Sequence, residues 1–418
     1  MRLDAATVVS AILAVSVLFL LVLGAASMMG LFKGASELRR LFRAASADYS
    51  PVILKSPLVP GVSVLVVARD ATAEARALVR RLLSLHFGKH EVVLVLDGPS
   101  DAARAAWVEE LRLLREERSE VRDLPARPVR GFYVSREPLK LLVVDMEPGG
   151  DADAFNAAIN AAQYPVLGFV DPRADFIPEW LLRLMRPLLE DWNRIAAVCA
   201  VAMPAPVEGW AGRIGRLETL RRWMVRGAAF ARWGKLAPIP GSCMLIKRQP
   251  LVAAGGFRGG VLELFLDLQA GKQQIAFLPW LVSWDKAPAT FSEVREQIRY
   301  DQSQLARGLR YRTALYGGAF AGLFCVRVLR PMVETVALPL AAVGLILGWV
   351  HPALAGLTLL ASAGVGMVLS AAAIVLYEMA DPGLREPRYM VRLFLTAIAE
   401  NLGYRQIRNL WLIAAFFR

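Results

Sequence analysis

Val166-Leu167-Gly168-Phe169-Val170-Asp171, continuing as Pro172-Arg173-Ala174-Asp175-Phe176-Ile177-Pro178-Glu179-Trp180-Leu181, is the stretch on which the reading of this chain turns. Its opening residues form an apolar run of strand length. The run stops at Asp171-Pro172, and a helix start follows at Pro178-Glu179-Trp180. In an open sheet of parallel strands, ligands bind beyond the strands' carboxyl ends, so a carboxylate where such a strand stops points at whatever is bound. Asp171 is therefore the first candidate functional residue.

The same alternation recurs on the amino-terminal side. Apolar runs at Val62–Val67, Glu91–Leu96 and Lys140–Asp145 read as strands, separated by amphipathic helices at Thr72–Leu85, Ala102–Glu117 and Asp153–Ala162. Strands alternating with helices predict an α/β fold with a parallel-type sheet. No Gly-x-Gly-x-x-Gly follows the first strand, which speaks against a dinucleotide-dependent dehydrogenase. Downstream, Ala196–Ala202 reads as a further strand. Gly209–Trp233 reads as a basic amphipathic helix in which Arg213, Arg216, Arg221, Arg222 and Arg226 alternate with Trp210, Trp223 and Trp233. A helix at a membrane interface and an ordinary solvated face both fit that pattern.

With 418 residues, a hydrophobic fraction of 56% and a mean hydropathy of +0.42, the chain has room for one sizeable soluble domain plus membrane segments. Cys199, Cys243 and Cys325 form no Cys-x-x-Cys, and His86, His90 and His351 are not grouped with them, so neither a zinc site nor a disulfide frame is indicated. The cysteines read as buried thiols in a reducing compartment. The net charge of +12 reads as the cytoplasmic Lys and Arg excess of an inner-membrane protein rather than as a nucleic-acid surface.

Residues 1–32 are read as a first transmembrane helix, since no charge interrupts Ala5 to Phe32 and a span needs ~20 residues. Lys33, Arg39, Arg40 and Arg43 follow, which puts the end of that helix in the cytoplasm; a cleaved signal peptide is the alternative. Residues 33–60 read as a basic linker and 61–310 as the soluble domain. Thr313–Val326 is too short to span and suits an interfacial helix at 311–331. Within 332–378, Thr335–Tyr377 is free of formal charge and is divided by His351-Pro352 into two further spans. Arg385, Arg388 and Arg392 return the chain to the cytoplasm, and 385–418 reads as a cytoplasmic interfacial helix. The expectation is a multi-pass protein of a bacterial-type inner membrane.

Several segments carry a resemblance. They are Ser63–Asp70 (S-V-L-V-V-A-R-D), Leu96-Asp97-Gly98-Pro99-Ser100-Asp101, Ala154-Phe155-Asn156-Ala157-Ala158, Asp171 with Glu179-Trp180-Leu181, and Pro240–Arg248 followed by Gly255-Gly256-Phe257. From about Gly61 to Gly308 the chain resembles the membrane-bound family 2 glycosyltransferases, and Glu400–Gln406 resembles the tail of their processive-type, cellulose-synthase-like members. The resemblance implies a GT-A-like fold that binds a nucleotide sugar, a UDP-sugar by preference, through Ala68, Asp70, Asp97 and Asp171, with Arg173 beside them as this chain's own candidate for the same site. It implies Mg or Mn bridging the diphosphate with Asp171 as ligand, and a lipid or glycan acceptor at the cytoplasmic face. A carboxylate at a strand end suits base N–H and ribose hydroxyl donors, while the plainer reading of Asp97 is a cap for the following turn.

The chain also departs from the family pattern. Arg173 replaces the second acid of Asp-x-Asp, and Asp151 stands five residues before Asn156, where the family has a cation. Val261–Leu268 replaces Thr-Glu-Asp-x-Asp-Leu, leaving Glu263 or Asp267 as general base. Asp301–Leu305 stands in the window for Gln-x-x-Arg-Trp; a shifted register keeps Gln304 and Arg307 but puts Gly308 in the place of Trp. Two functions follow: an active transferase with an altered site, in which Arg173 supplies the charge of the metal, or a non-catalytic homologue that serves a partner glycosyltransferase or export protein in envelope-polysaccharide synthesis. A transporter is disfavoured, because the expected spans hold no internal ionisable group besides His351.

Overall fold

A computed structural model describes residues 4–45, 56–119, 122–136, 140–171, 175–204, 209–227, 243–285, 288–380 and 387–417. The chain divides into a sheet unit, residues 43–203 with 239–286, and a helical unit, residues 1–42, 204–238 and 287–418.

After helix α1 (Ala5–Ala45), the sheet unit runs β1 (Val62–Ala68), α2 (Ala73–Leu83), β2 (His90–Asp97), α3 (Asp101–Glu110), β3 (Leu113–Glu116), β4 (Val129–Ser135), β5 (Leu141–Met146) and α4 (Asp151–Ala161). It continues with β6 (Val166–Val170), β7 (Asp175–Phe176), α5 (Trp180–Glu190) and β8 (Ile195–Pro204). The chain then passes through α6 (Trp210–Leu220) of the helical unit and returns as β9 (Cys243–Lys247), α7 (Arg248–Ala253), α8 (Val261–Ala270) and β10 (Gln274–Asp285). Among the described residues these strands form one sheet in the order β3-β4-β5-β2-β1-β6-β9-β8-β10-β7. The centre, β5-β2-β1-β6, is parallel.

Period-two packing explains that centre. Val62, Val64 and Val66 of β1 join Leu78, Leu82, Trp107 and Trp180 on one face, while Leu65 joins Ala154, Ala157 and Phe265 on the other. Strands buried on both faces must be apolar throughout, which is why these read as unbroken Val and Leu runs. Each such side chain contributes ~1.5–3 kcal/mol on burial. Thr72 Oγ1 accepts from Ala75 N at 3.2 Å and Ser100 Oγ from Ala103 N at 3.2 Å, starting α2 and α3.

The edges differ from expectation. The helix expected over Ala102–Glu117 stops at Glu110, the chain reverses through Arg112 at φ 49°, and Leu113–Glu116 becomes an edge strand antiparallel to β4. Tertiary pairing with β4 and burial of Leu113 override the helical pattern there. β4 against β5 and β9 against β6 are antiparallel as well, so the sheet is parallel only at its core.

The helical unit comprises α1, α6 with a π-helical turn at Arg221–Gly227, α9 (Phe291–Phe324), a π turn at Cys325–Leu329, α10 (Arg330–Ile346) and α11 (Pro352–Leu359). A π turn at Leu360–Gly364, α12 (Val365–Ala380), α13 (Pro387–Ala399), a π turn at Glu400–Tyr404 and α14 (Arg405–Phe416) complete it. Ala5–Ser36, Gly322–Ile346 and Pro352–Glu378 are long and apolar enough to cross a membrane. On α1, Leu13, Val17 and Leu20 pack inward while Ile12, Val15, Leu18 and Val22 face out, the pattern of a helix against lipid. The run Thr313–Val326 lies within α9 and its π turn, continuous with the second candidate span.

Three readings are revised here. The second candidate span holds Arg327, Arg330 and Glu334, so it does contain ionisable groups. Arg216, Arg221 and Arg222 do not form a solvated face: Arg216 is 1% exposed and the others pair inside the unit. Across α13, the π turn that follows it and α14, the polar side, with Thr396, Glu400, Asn401, Arg405 and Asn409, is buried, and Val391, Leu395, Ile398 and Leu402 face outward.

Candidate functional site

The carboxyl ends of β1, β2, β5 and β6 bring the sequence-predicted donor residues to one edge of the parallel core. β1 ends at Ala68, which is buried, and is followed by exposed Arg69 and Asp70. β2 ends at Asp97, whose side chain is 3% exposed. β6 ends beside Asp171, which is half-buried. Arg173 lies outside the described residues.

Asp97 is committed to protein partners on both oxygens. Oδ1 accepts from Gly149 N at 2.8 Å and Gly150 N at 3.3 Å, and Oδ2 pairs with Arg69 Nε at 3.1 Å. The carboxylate thus ties the loop after β5 to the ends of β1 and β2. It does not cap the turn after β2, because Ser100 fills that role. Gly98 is required next to it: its φ is +60° and a Cβ would lie 2.6 Å from Pro148 Cβ, while its N–H donates to Met146 O at 3.1 Å.

Arg69 is the residue that sequence reasoning passed over. Its Nη2 also reaches Asp151 Oδ1 at 3.3 Å, so one guanidinium serves both acids, and its side chain is 62% exposed toward the open end of the strands. Asp151, in the first turn of α4, stands where the family pattern has a cation; Arg69, 82 residues earlier, brings a cation to that place. The only signal in the sequence was the Arg inside S-V-L-V-V-A-R-D, quoted for its neighbours.

A second junction joins two of the motifs. Asn156 of α4, 2% exposed, donates through Nδ2 to Phe257 O at 2.8 Å and Pro125 O at 2.9 Å, and its Oδ1 accepts from Phe257 N at 2.8 Å. The rings of Phe155, Phe169 and Phe257 pack against one another with centroids 5.0–5.4 Å apart. Gly256 has φ +72° and a Cβ there would meet Asn156 Oδ1 at 2.6 Å, so the glycine lets the segment approach α4. This junction positions the start of α8, which carries Glu263 and Asp267 one helical turn apart. Glu263 is half-buried in the first turn against Gly259, and Asp267 is 6% exposed among Leu264, Phe265 and Leu268.

Among the described residues, no three His, Cys, Asp or Glu side chains gather into a metal-binding group. At the strand ends, Asp171 is a carboxylate of the kind Mg or Mn uses together with substrate phosphates. Asp301 and Gln302, from the Gln-x-x-Arg-Trp window, lie on α9 in the helical unit. There Asp301 pairs with Arg222 and Arg327, and Gln302 Nε2 donates to Arg327 O at 3.1 Å.

Residues 152–396, more than half the chain, match the family described as Glycosyl transferase family 21. The probable glycosyltransferase YdaM of Bacillus subtilis (strain 168) is 24% identical over 264 residues, covering 60% of this chain and 56% of that protein. The chain thus spans little more than half the length of that curated relative. Mannosyltransferase PcManGT from Pyrobaculum calidifontis, in complex with GDP-Man and Mn2+, is similar with a TM-score of 0.55 at 16% identity, covering 93% of this chain and 99% of that one. Glucosyl-3-phosphoglycerate synthase from Mycobacterium tuberculosis, with Mn2+ and UDP-Glc, has a TM-score of 0.40 at 13% identity, covering 62% of this chain and 83% of that one. The likeness to PcManGT is one of fold, and the fold is the GT-A-like one expected from the sequence.

Proposed function

The chain belongs to glycosyl transferase family 21, and on that premise we propose that it transfers a sugar from a nucleotide-sugar donor to a lipid or glycan acceptor at the cytoplasmic face of a membrane. The observation that carries this reading is the exposed Arg69 guanidinium at the strand ends, held in place by buried Asp97 and by Asp151. An Arg fork matches phosphate oxygens bidentately and stays charged at all working pH values. Asp70, Ala68 and Asp171 border the nucleoside and sugar, Arg173 adds a second cation, and Asp97 acts as the brace that orients Arg69. PcManGT, whose structure holds GDP-Man and Mn2+, supports the donor class. Bound at Asp171 and the donor phosphates, Mg or Mn would offset charge on the departing diphosphate.

Glu263 is the general base. It lies half-exposed in the first turn of α8, whereas Asp267 is buried, so an acceptor hydroxyl meets Glu263 first. The acceptor O–H gives its proton to the Glu263 carboxylate, the oxygen bonds to the anomeric carbon, and the bond to the diphosphate oxygen breaks with its electron pair leaving on phosphate. A general base contributes about 10² to 10⁴ in rate, so Glu263→Gln should reduce transfer in membranes at least tenfold. If transfer is detected and neither Glu263→Gln nor Asp267→Asn lowers it, the assigned base is wrong.

The scaffold reading is favoured by one observation, the complete engagement of Asp97 by protein partners. It predicts no transfer by the purified chain, and a partner transferase whose output falls on deletion of this chain and returns with an Asp171→Ala version. Orientation is tested by cysteine labelling from each side of sealed vesicles: Gly98 should be reachable only from the cytoplasmic face and His351 only from the other.

A further inference from the structure

The helical unit holds a partly open cavity of about 110 Å³ whose lining includes six arginines: Arg221, Arg222, Arg327, Arg330, Arg405 and Arg408. One water needs only ~10–15 Å³ of such space, so the cavity has room for several waters or a polyatomic ion.

The charges around it do not balance. Asp301 pairs with Arg222 at 3.1 Å and Arg327 at 3.4 Å, and Glu334 pairs with Arg330 at 2.9 Å and Arg405 at 2.6 Å. Glu218 pairs with Arg408, and Glu400 with Arg221. Among the described residues, six guanidiniums therefore face four carboxylates. Each of Asp301 and Glu334 already has a partner in Arg222 or Arg405, so the excess sits on Arg327 and Arg330, which line the same cavity and are 12% and 11% exposed. Buried charge persists when it is paired, so two guanidiniums facing one cavity with too few carboxylates favour an anion between them. Arg405 carries the mark of this crowding: burial first, then the Arg330 charge, pull its guanidinium down to about 10 although Glu334 is bonded to it.

The backbone points the same way. Arg221 and Arg222 lie on the π turn after α6, Arg327 on the π turn between α9 and α10, and Arg405 directly follows the π turn at Glu400–Tyr404. The remaining π turn ends two residues before Gly366, whose missing side chain leaves room for the Arg405 guanidinium. π turns are rare and concentrate at functional sites, and among the described residues two of them, at Arg221–Gly227 and Cys325–Leu329, line this cavity directly. Two of the walls, α10 and α12, belong to candidate membrane spans. A basic pocket between spanning helices is suited to a phosphate head group.

We infer that this cavity is a binding site for a phosphate group, clamped by Arg327 and Arg330 and delivered either as the head group of an anionic lipid or as free phosphate or pyrophosphate. The inference does not rest on the transfer reading.

The test uses the full chain purified in neutral detergent, titrated with phosphatidic acid in mixed micelles, with phosphatidylcholine in the same micelles, and with inorganic phosphate or pyrophosphate. Binding is read by thermal shift and native mass spectrometry. Arg327→Gln and Arg330→Gln are the variants, since Asp301 keeps Arg222 and Glu334 keeps Arg405. The expected result is saturable binding of phosphatidic acid or of a free phosphate, absent for phosphatidylcholine, with the dissociation constant raised at least tenfold in either variant. Displacement of phosphatidic acid by pyrophosphate on the unaltered protein shows that both reach one site; binding of phosphatidic acid alone identifies the lipid as the source, and binding of free phosphate alone identifies the soluble ion. The inference is overturned if no phosphate compound binds the unaltered protein, or if binding is unchanged in both folded variants. Should one variant not fold, the other and the displacement measurement decide the matter.

Discussion

Replacing Asn156 by Asp tests the junction between α4 and the Gly-Gly-Phe segment with almost no change of shape. Asn156 donates two hydrogen bonds, to Phe257 O at 2.8 Å and Pro125 O at 2.9 Å, and accepts one from Phe257 N at 2.8 Å. A carboxylate keeps the accepted bond but turns an oxygen toward two carbonyls. Each carbonyl left unsatisfied in the interior costs ~1–3 kcal/mol, so the two together cost about 4 kcal/mol. At ~2–4 °C per kcal/mol for a unit of this size, Asn156→Asp should melt about 8–16 °C below the unaltered protein near neutral pH. Burial and facing carbonyls favour the protonated form of the introduced carboxyl, so its pKa in the folded state lies above the ordinary ~3.9. The sign follows. The folded variant binds the proton more tightly than the unfolded chain, so this stabilisation is present at low pH and lost as pH rises through the raised folded value. The deficit should therefore shrink between about pH 8 and about pH 5.5, where a protonated carboxyl can donate one of the two bonds. Asn156→Ala should be destabilised to a similar extent with no such recovery. The measurement is differential scanning fluorimetry on the full chain in detergent. If Asn156→Asp melts within about 2 °C of the unaltered protein at about pH 8, the two carbonyl contacts do not hold this junction.

At Gly256, φ is +72° and a Cβ would collide with Asn156 Oδ1, so Gly256→Ala should lower the melting temperature by several degrees, a loss of ~1–3 kcal/mol. Arg69→Gln should leave melting nearly unchanged, because its ion pairs are 62% solvent-exposed on the Arg side, yet calorimetry with UDP and GDP should give about tenfold weaker binding; equal affinity would remove Arg69 from the site. His90 is held below its ordinary pKa of 6.5 by burial, against the opposing hydrogen bond to Phe87 O, so the unfolded chain takes the proton first. Its contribution is present above that value and fades as pH falls, and denaturant midpoints measured from about pH 7 to about pH 5 should drop less in His90→Asn than in the unaltered protein. Burial pushes the Cys199 thiol up to about 12, so it should resist maleimide at mildly alkaline pH until the sheet unit is unfolded; rapid labelling of the native chain would contradict its burial.

By itself the sequence determined what depends on local periodicity. Val62–Val67, Glu91–Leu96 and Val166–Val170 are apolar because parallel central strands are buried on both faces, and that pattern survives without any knowledge of neighbours. The candidate spans were legible through their long charge-free runs, although the second begins before its run and carries Arg327, Arg330 and Glu334. Partner choice across long separations was decided only by the tertiary structure. Leu113–Glu116 continues a helical pattern and becomes a strand because β4 lies beside it. Asp97 reads in the sequence as a ligand-facing acid, and only the fold shows that the amides of Gly149 and Gly150 and the guanidinium of Arg69 converge on its carboxylate from different crossings of the sheet. Asp151 stands where the family has a cation, and only the fold brings Arg69, remote in sequence, beside it. Glu334 sits one residue before the charge-free run and drew no notice, yet Arg330, Arg405 and Asn409 meet on it. A buried charge specifies that partners must exist but not which ones, and only the packing of α10 against α14 could name them.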